Sequence, residues 1–158
     1  MVIDKVQLTQ DGLEDLKAEV QQLKEEKLPQ IINRVSSARD QGDLSENADY
    51  HSAKEEQSFV ETRISEIEDI LANSMVVKKP TNNQIQVGIG SRTEVYIKGK
   101  VNKTFTFEIV GEFEADPEEG KISSASPLGK ALIGKKKGEE AIVATPAGEV
   151  SYIIKSTK

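Results

Sequence analysis

Eight positions in the middle of the chain, Tyr50, Ala53, Gln57, Val60, Ile64, Ile67, Leu71 and Ser74, follow one another in alternating steps of three and four. That spacing keeps one stripe of a helix turned toward a partner, the seam of a coiled coil. Upstream, Leu13, Leu16, Val20 and Leu23 repeat the same steps. Lys27 takes the next seam position and Pro29 follows, before the stripe resumes at Ile31 or Ile32, then Val35 and Ala38. A proline inside a helix removes the bond to the carbonyl four residues back, here that of Glu25, so the spacing predicts a single helix kinked near residues 25–29. Thr9 is the expected N-cap, and Gly42 sits where a left-handed C′ residue would end the helix.

Two heptad segments joined by a tight turn make an antiparallel hairpin. Arms of roughly 32 residues, at about 1.5 Å each, are about 45–50 Å long. So short a chain, 158 residues, cannot cover arms of that length, and a projecting rod is expected. Large aliphatics (Leu16, Val20, Leu23, Ile64, Ile67, Leu71) lie toward the base, while Ala38, Ala48, Ala53 and Gln57 lie toward the turn. Small seam residues let backbones approach closely and bury less, so the distal end should be slim and more weakly held.

Beyond Val77 the period changes. Residues 78–84, KKPTNNQ, read as a linker between a hairpin domain at 1–77 and a β-rich domain at 85–158. The β-branched and aromatic runs at 92–98, 103–110, 140–145 and 150–155 read as strands. Pro146-Ala147-Gly148 is a hairpin turn, and SPLGKALIG at 126–134 a short helix and loop. The fold class is α+β.

Charge divides with the domains. Residues 1–78 carry nine Lys and Arg against 17 Asp and Glu, whereas residues 79–158 carry 12 against ten. An acidic first half does not hold a phosphate backbone by itself, so contact with nucleic acid would have to be arranged by a partner protein. The chain has no cysteine and one histidine, His51, which excludes disulfides and thiolate zinc sites and leaves little for a histidine-based centre. No apolar run reaches the length of a membrane span, and Met1–Gln10 lacks a signal-peptide pattern; a reducing cytoplasm is expected.

Between the helices lies QGDLSENADY, residues 41–50, where Asp43 precedes Glu46 by three positions. An acid followed by glutamate three residues on resembles a capping box, with Asp43 accepting from the helix start and Glu46 reaching back. Asp49 and Glu55 then add favourable charge near that helix start. The same pair also suits metal chemistry. Mg²⁺ commonly keeps several waters and takes one or two carboxylates beside substrate phosphates, so a pair on a free tip binds it weakly but can complete a two-metal centre elsewhere.

GDLSENADYHSAKEEQ at 42–57 resembles the signature of the bacterial Gre transcript cleavage factors. The likeness extends over nearly the whole chain, from QDGLEDLKAEV and KLPQIINRVSSARDQGDL to SPLGKALIG and TPAGEV. The resemblance implies an elongation factor, not itself an enzyme, that binds RNA polymerase. An FKBP-like C-terminal domain would dock at the rim of the secondary channel while the coiled coil enters it. The tip acids, Asp43 and Glu46 by position, would stabilise a second Mg²⁺ shared with the polymerase, which then cleaves its own backtracked transcript. Nascent RNA and template DNA would be met only through the elongation complex. Arg39 and Lys54, with Arg34 and Arg63, match the basic patch that contacts RNA, although ordinary pairing accounts better for Arg34 and Arg63. Ser126, Pro127 and Leu128 match the docking loop. The modest patch implies a preference for shallow backtracking. Packing explains Tyr50, and residues 135–137 read as a solvated turn.

Three other readings fit parts of the sequence. A Gre-like inhibitor would block the channel without aiding cleavage, but the DLSEN tip has neither crowded acids nor a missing Glu46. A coiled-coil chaperone or adaptor would need exposed seams, whereas this seam is satisfied within one hairpin, as a monomer. A prolyl isomerase would need an aromatic-lined pocket, and fold alone does not supply the function.

Overall fold

The computed structural model describes residues 5–43, 46–78 and 86–158. They form two compact units, Leu13–Asn73 and a second made of Met1–Gly12 with Ser74–Lys158. The linker expected at 78–84 lies, apart from Lys78, outside the described residues.

In the helical unit, α1 (Gln10–Gln22) runs through a π-turn at Leu23–Lys27 into α2 (Leu28–Arg39), and α3 (Ala48–Ala72) returns. The helix is continuous across Pro29, as expected, but the seam is not the one read from the spacing. The Leu28 N–H bonds to the carbonyl of Leu23, five residues back. One extra residue is absorbed, so Leu28 packs into the seam after Leu23 and Lys27 is turned outward. From Leu28 the steps of three, four and three run through Ile31, Val35 and Ala38, all buried, while Ile32 faces solvent. A π-turn just ahead of the proline moves the helix past its missing donor and corrects the phase at once. Leu28→Ala should therefore lower hairpin stability by about 1–2 kcal/mol, whereas Lys27→Ala should cost little; equal losses in paired thermal melts would contradict this register.

The α3 stripe follows the heptad: Ala53, Val60, Ile64 and Ile67 are buried, with Tyr50 and Gln57 half-buried. Ala38 and Ala53 have no exposed surface, so toward the turn the α2–α3 seam is filled by small side chains. The seam stops short of Ser74, however, because α3 ends at Ala72 and Ser74–Val76 forms strand β2, parallel to β1 (Val6–Leu8).

Thr9 is the N-cap expected of α1: its hydroxyl accepts from the Gly12 N–H at 3.0 Å. The rest of this unit is a five-stranded mixed sheet made of β3 (Arg92–Ile97), β4 (Lys100–Val110), β5 (Lys121–Ser123), β6 (Glu140–Thr145) and β7 (Gly148–Thr157), in the order β5-β4-β3-β7-β6. Only the β4–β5 pair is parallel. The turn at Pro146-Ala147 closes β6 on β7, with Gly148 at φ 119°, where a side chain would be strained. The short helix α4 (Pro127–Leu132) packs through Leu132 into a core with Val87, Ile89, Val95, Ile109, Ala141 and Ile154. Phe105 and Phe107 stack, Tyr152 meets Phe107 edge-on, and all three rest on that core.

Candidate functional site

The tip is built from the end of α2, the residues after it and the start of α3. α2 is capped at Asp40, and Gly42 follows at φ 132°, two residues past the cap rather than at C′. Asp43 and Glu46 are both exposed. Neither is the helix cap. That place belongs to Asn47, whose side-chain oxygen accepts from the Tyr50 N–H at 3.0 Å. The amide nitrogen of the same residue donates to the Ala38 carbonyl at 2.6 Å, tying the two helices across the turn. The capping box expected of Asp43 and Glu46 is thus displaced by one side chain that serves both helix ends. An Asn directly before Ala48-Asp49-Tyr50 is itself a cap signal, but Asp43 and Glu46 compete with it in the sequence.

The candidate cations along the hairpin divide into two sets. Arg34 bridges the hairpin, donating to Asp49 at 2.9 Å and to Glu56 at 2.7 Å, while Lys27 meets Glu56 at 2.9 Å. Arg63 pairs with Glu19 at 2.7 Å across the hairpin and with Glu66 on its own helix. Asp49 thus serves the ladder as well as the helix start. Arg39 and Lys54 have no carboxylate partner among the described residues: Arg39 lies 6.0 Å from the Tyr50 ring centre, and Lys54 reaches the Gln57 amide at 3.5 Å. His51 is exposed and meets Tyr50 edge-on.

Glu56 is held below the usual carboxylate range, first by the hydrogen bond from Lys27, then by that ammonium's charge and by Arg34. Arg34 is raised, chiefly by its bond to Asp49. As pH falls, the unfolded chain protonates Glu56 before the folded one does. The ladder's contribution is complete above the ordinary glutamate value of about 4.3 and is lost as pH drops through the lower folded value. Thermal scans of Glu56→Gln should accordingly show a flatter fall in stability than the parent between about pH 5 and pH 3; parallel curves would exclude this role.

Among the described residues no cluster of three or more His, Cys, Asp or Glu can hold a metal. Asp43 and Glu46 are two carboxylates, which suit a hard cation but leave most of its coordination to other groups. In the β-rich unit, Ser126 caps α4 by accepting from the Gly129 N–H at 3.0 Å, and Pro127 fills the first helical position. Gly129 packs so tightly that an added Cβ would overlap the Ser123 carbonyl. Ser126, Pro127 and Leu128 line a groove of about 370 Å³ with Ile122, Val143 and Pro146. Of residues 135–137, expected as a solvated turn, only Lys137 lies in a turn: Lys136 forms an isolated bridge with Gln86, and Lys135 is half-buried with its carbonyl accepting from the Val87 N–H.

Residues 6–76 match the family described as "Transcription elongation factor, N-terminal", and residues 82–158 match "Transcription elongation factor, GreA/GreB, C-term". The chain belongs to the GreA/GreB family of transcription elongation factors. Relatives of this Gre-family chain include the transcription elongation factor GreA of Amoebophilus asiaticus, 47% identical over 146 residues and 92% of each chain. That of Acidiphilium cryptum is 45% identical over 96% of each, and that of Thioalkalivibrio sulfidiphilus 42% over 99% of each. The crystal structure of GreA factor homolog 1 from Thermus thermophilus is 26% identical over 98% of this chain and 99% of its own, with a TM-score of 0.45. Gre factors act on RNA polymerase and stimulate its transcript cleavage, and this chain is an elongation factor of the GreA kind. Among the described residues no helix is long and apolar enough to cross a membrane.

Proposed function

We propose that this elongation factor stimulates cleavage of backtracked RNA by carrying Asp43 and Glu46 into the polymerase active centre, where they add oxygen ligands to Mg²⁺ in trans. The observation that supports this most is the cap: Asn47 performs the helix-start work, so neither tip acid is needed for it. Both acids are exposed at the hairpin turn, the placement that ligation of a metal in another protein's site requires. When bound, the metal would lower the pKa of an attacking water and polarise the scissile phosphate. This chain's part is to present two carboxylates on a slim support.

Arg39 and Lys54, which have no carboxylate partner among the described residues, are the candidates for touching displaced RNA; Arg34 and Arg63 are engaged in cross-hairpin pairs and are not. Ser126, Pro127 and Leu128, beside an apolar groove, are the candidate docking loop. The factor works in the bacterial cytoplasm as a monomer, since its seam is filled within one hairpin. The described aromatics of the β-rich unit at positions 105, 107 and 152 pack on its core, and none lines that groove, which counts against an isomerase. Adding the full chain to a purified backtracked elongation complex with labelled RNA tests the reading: release of short 3′ fragments should accelerate. Binding without acceleration would favour the channel-blocking inhibitor, and no binding the adaptor.

A further inference from the structure

Two cations on α2 and two carboxylates on α3 form a ladder along one flank of the hairpin. Lys27 and Arg34 are seven residues apart, and so are Asp49 and Glu56, the spacing that returns to the same side of a helix after two turns. The two helices run in opposite directions, so Lys27 meets Glu56 at 2.9 Å and Arg34 meets Asp49 at 2.9 Å. The Arg34 guanidinium joins the two rungs. Its Nη1 donates to Glu56 at 2.7 Å, while Nε and Nη2 both donate to one oxygen of Asp49, at 3.2 and 2.9 Å. Lys27 reaches this flank because the π-turn rotates it out of the seam. The ladder stands where apolar packing is thin. Ala38 and Ala53 fill the seam toward the turn, and such small side chains bury little area and do little to stop one helix sliding along the other.

We propose that Arg34 is a positioning residue for transcript cleavage: by clasping Asp49 and Glu56 it sets the register of α2 against α3, and with it the spacing between Asp43 and Glu46. The inference rests on the reading of those two acids as metal ligands. Asp43 follows the Asp40 cap of α2 and Glu46 precedes the Asn47 cap of α3, so each acid is carried by a different helix end. A slip of one residue along a helix is about 1.5 Å, whereas productive ligand geometry tolerates about 0.5 Å. Asn47 ties the two helices at one point, the Ala38 carbonyl. Arg34 supplies a second, and two attachments fix a register where one leaves a pivot. An isolated surface pair would resist such a slip weakly, but the four charges here are joined into one network.

The test measures 3′-fragment release from a backtracked elongation complex across a range of full-chain factor concentrations. Thermal scans first set the assay temperature well below the melting midpoint of every variant, so that a lower rate is not unfolded factor. Arg34→Ala and Asp49→Ala should each lower the rate at saturation by about threefold or more, while the half-saturating concentration stays within about twofold. The double variant should match Arg34→Ala, because both substitutions break the same contact. If Arg34 instead touches RNA, Asp49→Ala releases it and keeps the parental rate, which overturns the proposal. A parental saturating rate in Arg34→Ala overturns it too, as does a loss seen wholly as weaker half-saturation or a double variant that loses the product of the two single effects. Asp43→Asn runs alongside: if it alone loses cleavage, only the positioning role fails; if the parent itself stimulates none, the tip-acid reading fails and this one with it.

Discussion

Asp43→Asn should reduce stimulated cleavage on the order of 100-fold while leaving affinity for polymerase within about twofold. The substitution keeps the shape of the side chain and removes one charge and one good metal-binding oxygen. Because the α3 cap is Asn47 and asparagine keeps an accepting oxygen at the same place, the variant should melt close to the parent. Three readouts therefore separate: binding and stability unchanged, chemistry lost. Cleavage at the parental rate would show that Asp43 is not a ligand, and a fall in melting temperature with the activity would return the residue to a structural role.

Asn47→Ala should act in the opposite order, structure first. It deletes the N-cap of α3, about 0.5–2 kcal/mol, and the bond to the Ala38 carbonyl, about 0.5–1.5 kcal/mol. Together these make roughly 1–3 kcal/mol of hairpin stability, lost at the turn, where Ala38 and Ala53 give the seam little apolar area. Amide exchange should quicken at the end of α2 and the first turn of α3, and leave Ile64 and Ile67 near the base protected. Cleavage should fall several-fold because the carboxylates are no longer held. Asn47→Asp keeps the cap acceptor but loses the donor to Ala38, so it should lie between parent and Ala. Uniform loss of protection along both helices would show that the tip is not a separate element.

The helical half was legible because a heptad is a strong, local signal: the α3 stripe from Tyr50 to Ile67 is packed as its spacing requires. Phase was lost at Lys27, where a backbone hydrogen-bond pattern and not a side-chain type decides which residue faces inward; the five-residue step from Leu23 to Leu28 was the available sign. The strands around β3, β4, β6 and β7 were readable from β-branched and aromatic runs. Strands β1 and β2 were not, since three residues carry no alternation and their pairing joins Val6 to Ser74. At the tip, residue identities suggested chemistry while spacing suggested a cap, and only the position of Asn47 separates them. The hydrogen bond from the Thr9 N–H to the Glu114 carboxylate is invisible in sequence because the two residues are 105 positions apart.

The central claim, that tip acids complete a metal centre in the polymerase, is tested most directly by the Mg²⁺ dependence of cleavage. Initial rates of 3′-fragment release should be followed across Mg²⁺ concentrations with no factor, with the parent chain and with Asp43→Asn, each at saturation. The account predicts that the parent lowers the Mg²⁺ concentration for half-maximal cleavage and that Asp43→Asn returns it to the factor-free value. A parent that raises the rate at every Mg²⁺ concentration by the same factor, with the midpoint unmoved, would contradict it.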